Sequence, residues 1–164
     1  MQKTKNPLIF FVENSDVYKD LIVGYLTSHN FTNIKVYEKG EDCLADFEPN
    51  PDLIILTYGS SGMTGLEFMT RVSKEYPTID FIFLSSQNDV EVAVQIMKLG
   101  AADYIVKNDN APQRLVTSIQ KLIKATHKKK QIKGFRIGVL GFFIMMTIVI
   151  VVILLLSIFL GSEV

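Results

Sequence analysis

Four side chains able to take part in chemistry each stand directly after a short apolar run: Glu13, Thr57, Ser85 and Lys107. A carboxylate can hold a metal ion, a hydroxyl can accept a phosphoryl group, and an ammonium group can contact its oxygens. The hydroxyl of Thr57 is a poor nucleophile without a base, and no histidine lies in a nearby motif to activate it. Any joint chemistry depends on a fold that brings these side chains together.

Apolar runs of strand length alternate five times with amphipathic helical stretches between residue 7 and about residue 126. The predicted strands lie within residues 8–12, 31–37, 53–56, 79–84 and 104–106. Asn88, with Glu91 three residues later, resembles a capping box that opens one helix, and Asn110 with Pro112 opens the last. This alternation predicts the α/β class, with a doubly wound parallel sheet of five strands covered on both faces.

The functional crevice of an open α/β sheet lies at the carboxyl ends of its strands. We therefore expect Glu13 and its neighbour Asn14 to lie near Thr57, Ser85 and Lys107. The simplest arrangement is an ion pair between Glu13 and Lys107, and the alternative is that Glu13 serves as a metal ligand.

Charge and hydropathy divide the chain into three parts. Residues 1–109 hold 16 acidic and nine basic side chains, whereas residues 110–136 hold eight basic side chains and no acidic one. Residues 137–160 are 24 consecutive residues without a charge. As a helix they would reach about 36 Å, enough to cross a hydrocarbon core of about 30 Å. We predict domains at 1–126 (globular), 127–136 (basic juxtamembrane collar), 137–160 (transmembrane helix) and 161–164 (short extracytoplasmic tail).

The collar sets the expected orientation of the membrane segment. Its basic residues are Lys128, Lys129, Lys130, Lys133 and Arg136. Basic flanks stay on the cytoplasmic side, which predicts a single-pass protein of the cell inner membrane with its N-terminal domain in the cytoplasm. The bilayer is thus one predicted partner, and the collar is either a topology signal or a site for anionic headgroups. The GxxxG spacing of Gly134 and Gly138 is weak support for a homodimer, which the sequence leaves open.

Residues 7–126 resemble the response-regulator receiver domain (CheY-like) of two-component phosphorelays. The segments that carry the resemblance are PLIFFVEN (7–14), PDLIIL (51–56), GMTG (62–65), IDFIFLSS (79–86) and LGAADYIVK (99–107). The resemblance implies the flavodoxin-like receiver topology. It also implies roles by position, namely an acidic pair at Glu13 and Asn14, a phosphoacceptor at Thr57, switch residues at Ser85 and Tyr104, and a phosphoryl-contacting lysine at Lys107.

Two of these positions depart from the family pattern. The family has a second acid where this chain has Asn14, and the phosphoacceptor aspartate where this chain has Thr57. One carboxylate remains where the family uses three for Mg²⁺, a hard cation that needs carboxylate oxygens. We therefore expect a degenerate pseudo-receiver with no catalytic residue, no metal site, Mg²⁺ binding lost or very weak, no other cofactor and no enzyme activity. For Ser85 and Tyr104, a retained conformational switch and inherited packing are equally consistent with the sequence.

The leading hypothesis is a membrane-anchored receiver-like protein of two-component signalling. It would bind a histidine kinase, another receiver or an effector without being phosphorylated. The surface implied by the resemblance is formed by the fourth and fifth helices and the fifth strand. The alternatives are a phosphorylatable receiver with an atypical site, and a protein that binds a nucleotide or another small ligand in the crevice. Nucleic acid is not expected as a partner, because the globular part is acidic and the collar adjoins the bilayer.

Overall fold

The computed structural model describes residues 6–58, 62–125, 142–148 and 150–151. The chain divides into two compact units, Met1–Lys124 and Ala125–Val164. All the candidate side chains at the strand ends lie in the first unit.

Strands and helices alternate along the first unit, as the sequence predicts. The strands are β1 (Ile9–Val12), β2 (Ile34–Tyr37), β3 (Leu53–Thr57), β4 (Asp80–Ser85) and β5 (Asp103–Val106). The helices are α1 (Asp16–Ser28), α2 (Gly40–Ala45), α3 (Gly65–Glu75), α4 (Val90–Lys98) and α5, which is described over residues 111–125.

All five strands are parallel and lie in the order β2-β1-β3-β4-β5. The order reverses direction at β1, so the crevice at the switch point opens between the carboxyl ends of β1 and β3. This confirms the predicted doubly wound parallel sheet.

The two sheet faces build two separate core layers, because successive side chains of a strand point to opposite faces. In β1, Ile9 and Phe11 join one layer with residues of α1 and α5. Phe10 and Val12 join the other layer with residues of α2, α3 and α4. Strands buried on both faces need a continuous apolar run, which explains the apolar runs in the sequence.

Side-chain caps fix where the helices begin. Ser15 caps α1, and Thr64 forms a capping box with Glu67 at the start of α3. The predicted cap of α4 at Asn88 is wrong by one residue. Asp89 is the N-cap instead, and its carboxylate accepts hydrogen bonds from two backbone N–H groups of the first turn. A carboxylate is also favoured there by the helix dipole.

The second strand is shorter than predicted. The predicted run began at Phe31, but β2 begins at Ile34. Asn30 adopts a φ of 67°, and the backbone N–H of Phe31 donates to the Leu26 carbonyl at 3.0 Å. Phe31 therefore closes the end of α1, and its buried side chain fills the core from the loop.

Within the second unit, the described residues 142–148 and 150–151 are helical and exposed. No helix among the described residues combines the length and the apolar character needed to span a bilayer. The predicted collar (127–136), tail (161–164) and most of the predicted span (137–160) lie outside the described residues, as do Gly134 and Gly138.

Candidate functional site

The predicted site residues gather at one edge of the sheet. Glu13 directly follows β1, Thr57 ends β3, Ser85 ends β4, and Lys107 directly follows β5. The parallel register aligns the carboxyl ends of the strands at this edge. In β3 and β4, for example, Thr57 pairs with Leu84, the residue before Ser85.

The Glu13 carboxylate is the centre of the site. Its Oε2 accepts a hydrogen bond from Thr57 Oγ1 at 2.5 Å and one from Lys107 Nζ at 2.6 Å. Its Oε1 accepts a bond from the Ser15 backbone N–H at 3.0 Å. The predicted ion pair between Glu13 and Lys107 is thus confirmed.

Burial makes this pairing necessary. The Glu13 side chain has no exposed surface, and that of Lys107 is 16% exposed. A buried carboxylate is tolerated only when a cation and hydrogen-bond donors compensate for its lost hydration. Lys107, Thr57 and Ser15 supply that compensation.

Thr57 has an acceptor that the sequence did not reveal. The sequence has no histidine motif that would activate its hydroxyl, and in the structure that hydroxyl donates to the Glu13 carboxylate. The accepting oxygen is the one that also receives the Lys107 ammonium group, and Thr57 itself is buried. The hydroxyl is therefore held as a donor within a closed network.

Tyr18, in the first turns of α1, is a further member of the site that the sequence analysis missed. Lys107 Nζ lies 4.3 Å from the centroid of its ring, which gives the ammonium group a second favourable contact. Burial, with a smaller effect of the Glu13 charge, raises the pKa of the Tyr18 phenol to about 12. Among the described residues its buried hydroxyl has no hydrogen-bond partner. Its position five residues after Glu13, past the Ser15 cap, is the signal that could have revealed it.

Asn14 does not join this cluster. It is exposed, and among the described residues its side chain makes no hydrogen bond with Glu13 or Lys107. The described residues contain no group of three or more His, Cys, Asp or Glu side chains that could hold a metal ion. Asp52 lies at the opposite end of the sheet, where it accepts a bond from the Leu8 backbone N–H at 3.0 Å.

Ser85 and Tyr104 both form hydrogen bonds with the backbone of Gln87, in the loop between β4 and α4. Ser85 Oγ accepts from the Gln87 backbone N–H at 3.1 Å, and the Tyr104 hydroxyl donates to the Gln87 carbonyl at 2.9 Å. The Lys107 backbone N–H in turn donates to the Ser85 carbonyl at 2.7 Å. Hydrogen bonds therefore link the Glu13 site to Gln87 in the loop between β4 and α4.

Glu41, at the start of α2, fixes the loop that follows β3. Its carboxylate accepts from the Met63 backbone N–H at 2.7 Å, which lowers the pKa of Glu41. Gly62 beside it has a φ of 103°, a conformation that favours glycine. Glu41 was not among the site residues predicted from the sequence.

An apolar surface lies on α4, beside the loop between β4 and α4. Val90, Val94 and Met97 are 70%, 47% and 44% exposed, and they line a groove together with Tyr104 of β5. Exposed apolar side chains grouped in this way are typical of protein-binding surfaces.

Comparison with known proteins defines the class of protein. The family model of the response regulator receiver domain matches residues 9–120. The match covers most of the chain, and the chain belongs to the response regulator receiver family.

Individual relatives are regulatory proteins of bacteria. The luminescence regulatory protein LuxO of Vibrio campbellii is 29% identical over 121 residues, which is 73% of this chain and 26% of that protein. The nitrogen assimilation regulatory protein NtrX of Azorhizobium caulinodans is 25% identical over 131 residues, 78% of this chain and 28% of that protein. The chain thus spans about a quarter of the length of these relatives.

Solved structures show the same fold. The crystal structure of the signal receiver domain of the LuxO repressor protein from Vibrio parahaemolyticus matches with a TM-score of 0.69 and 25% identity, covering 77% of this chain and 97% of that one. NtrX from Brucella abortus matches with a TM-score of 0.70 at 21% identity, covering 79% of this chain and 29% of that one. These structures show the receiver fold, which agrees with the match to the response regulator receiver domain.

Proposed function

We propose that this protein is a membrane-anchored receiver that binds protein partners without accepting phosphate. The observation that carries the proposal is the closed network at the sheet edge, in which Thr57 and Lys107 both donate to one oxygen of Glu13. The two groups that would act on a phosphoryl group are thus paired with a buried carboxylate.

Phosphate transfer to Thr57 is disfavoured for two reasons. Its hydroxyl would have to leave Glu13, and the carboxylate that accepts its proton is neutralised by the adjacent ammonium group. Mg²⁺ would find one carboxylate here, itself ion-paired, whereas a hard cation needs several free oxygens. We propose that Mg²⁺ binds very weakly and that the protein is not an enzyme.

The protein-binding surface that we propose is the groove between α4 and β5. Its apolar side chains Val90, Val94 and Met97 offer a contact area to a histidine kinase, another receiver or an effector. The bonds from Ser85 and Tyr104 to Gln87 hold the neighbouring loop. This arrangement supports a surface that is formed without phosphorylation.

Membrane anchoring rests on the sequence of the C-terminal part. Residues 137–160 carry no charge, and the preceding collar is basic. We propose a single span in the inner membrane, with the receiver on the cytoplasmic side. Anchoring would confine the search for a partner to the membrane surface and raise the effective concentration.

Phosphotransfer tests the central part of this proposal. The full chain is incubated with a histidine kinase carrying a radioactive phosphoryl group, beside a double variant with Asn14→Asp and Thr57→Asp. We expect no label on the natural chain and label on the double variant. Stable label on the natural chain would overturn the proposal, and its resistance to hydroxylamine would distinguish phosphothreonine from an acyl phosphate.

A further inference from the structure

The outward face of α5 carries a cationic stripe. The cations Arg114, Lys121 and Lys124 are exposed, and with the neutral Thr117 between them they follow a helical spacing of three or four residues. Positions on that spacing lie on one side of a helix. No acidic residue occurs between residues 110 and 136, so the stripe has no carboxylate on its own helix.

Among the described residues, the cations of this stripe form few ion pairs within the domain. The Nη2 atom of Arg114 lies 3.9 Å from Oδ1 of Asp103, near the limit for an ion pair, and the Arg114 side chain is 51% exposed. Within the described part of the chain, Lys121 and Lys124 have no carboxylate within ion-pair distance. Their ammonium groups are available to an external anion.

The rest of the receiver has the opposite charge. Residues 1–109 carry an excess of seven acidic side chains, whereas residues 110–125 add only cations. The charge is thus separated, with one positive helix on an acidic domain. A negatively charged plane would attract this helix and repel the remainder, which fixes one orientation.

We propose that the outward face of α5 is a docking surface for the anionic headgroups of a lipid bilayer. The sequence that follows α5 favours a membrane over other anionic partners, because five more basic residues and then an uncharged segment come directly after it. A basic residue near an anionic bilayer contributes attraction that falls off within a Debye length. The receiver then lies against the membrane through α5, and the apolar groove on α4 faces a partner at the membrane surface.

A distance measurement on the full chain tests this orientation. The chain is placed in nanodiscs of neutral phosphatidylcholine, or of the same lipid with phosphatidylglycerol, with a spin-labelled headgroup as quencher. A fluorophore is attached to Gln120→Cys on α5 or to Thr70→Cys on α3, which packs on the other face of the sheet. The native Cys43 is fully buried, and burial raises the pKa of its thiol to about 12, so we expect the fluorophore not to label it; the natural chain treated in the same way checks this.

We expect strong quenching at residue 120 in anionic discs, little at residue 70, and loss of the difference in high salt. A triple variant with Arg114→Gln, Lys121→Gln and Lys124→Gln removes the stripe. Each basic residue near the anionic surface contributes about a factor of five to the equilibrium constant for docking of α5. Removing three of them should therefore lower that constant roughly a hundredfold. The quenching at residue 120 should then match that in neutral discs.

A second triple variant is the matched control, because it removes the same charge from α3 and α4: Arg71→Gln, Lys74→Gln and Lys98→Gln. We expect it to keep the quenching of the natural chain. Equal quenching at both probe positions, or equal loss in both triple variants, overturns the proposal. Binding of the stripe to polyglutamate in solution with no preference for anionic discs also overturns it, and assigns the stripe to an acidic protein.

The proposed membrane anchor and the proposed docking surface are refuted by different results. A chain that leaves neutral discs on gel filtration refutes the anchor. The docking surface is then tested by flotation of the same full-length variants with anionic vesicles, where the stripe variant alone should lose binding. Equal flotation of both triple variants refutes the docking surface in that case.

Discussion

Removing the ammonium group of Lys107 should destabilise the receiver strongly. Lys107→Met keeps most of the side-chain volume, and among the described residues it leaves Thr57 and Ser15 as the remaining donors to the fully buried Glu13 carboxylate. Breaking one side of a buried ion pair costs about 3–5 kcal/mol. Because two hydrogen bonds remain and Lys107 is 16% exposed, we expect the lower end, about 3 kcal/mol.

Glu13→Gln should lower the free energy of unfolding less than Lys107→Met does, and the double variant should show strong coupling between the two changes. Glu13→Gln leaves an ammonium group that can reach water, so we expect a loss of about 1 kcal/mol. With both changes no unpaired charge is buried, and we expect a total loss of about 2 kcal/mol, which corresponds to a coupling energy of about 2 kcal/mol.

The assay is urea unfolding followed by circular dichroism at 222 nm, with free energies from linear extrapolation. Residues 1–125 are suitable for it because both core layers lie within the first unit. Lys35→Met is the matched control, since its pair with Asp46 at 2.9 Å has side chains that are 37% and 54% exposed. It should cost less than about 1 kcal/mol. Additivity of the Glu13 and Lys107 changes within about 0.5 kcal/mol would refute the argument.

Two further predictions concern other parts of the site. Tyr18→Phe removes a buried hydroxyl that has no hydrogen-bond partner among the described residues, so stability should stay unchanged or rise by up to about 1 kcal/mol. Tyr104→Phe loses its bond to the β4–α4 loop and should lower stability by about 1 kcal/mol. Urea midpoints check both, and a clear loss in Tyr18→Phe would contradict the assignment of its hydroxyl. The lowered pKa of Glu41 means that its stabilising bond to Met63 is complete above the ordinary value of 4.5 and is lost as the pH falls through the lower value in the folded state. Glu41→Gln should therefore flatten the acid limb of the stability curve, and Glu75→Gln, an exposed control, should leave it steep.

The fold could be predicted because its signals are local and repeated. Apolar runs of four to six residues between amphipathic stretches are too short for helices and are typical of strands that are covered on both faces. The order of elements then places Glu13 and Lys107 at the same edge, and opposite charges at a buried edge must pair. The ion pair followed from these two steps.

The remainder of the site depends on side-chain positions that sequence spacing does not determine. The bond from Thr57 to Glu13 and the contact of Lys107 with the Tyr18 ring join different elements, and their geometry follows from packing. The shift of the α4 cap from Asn88 to Asp89 reflects two adjacent residues that both cap well, between which local spacing cannot choose.

Binding of the phosphoryl analogue beryllofluoride with Mg²⁺ tests the central claim most directly. Fluorine NMR distinguishes a bound fluoride species from a free one, and the variant with Asn14→Asp and Thr57→Asp supplies the reference in which binding is expected. For the natural chain we predict only the free signal at millimolar Mg²⁺, because Glu13 is already paired with Lys107 and Thr57. A bound fluorine signal from the natural chain that depends on Mg²⁺ would contradict the account.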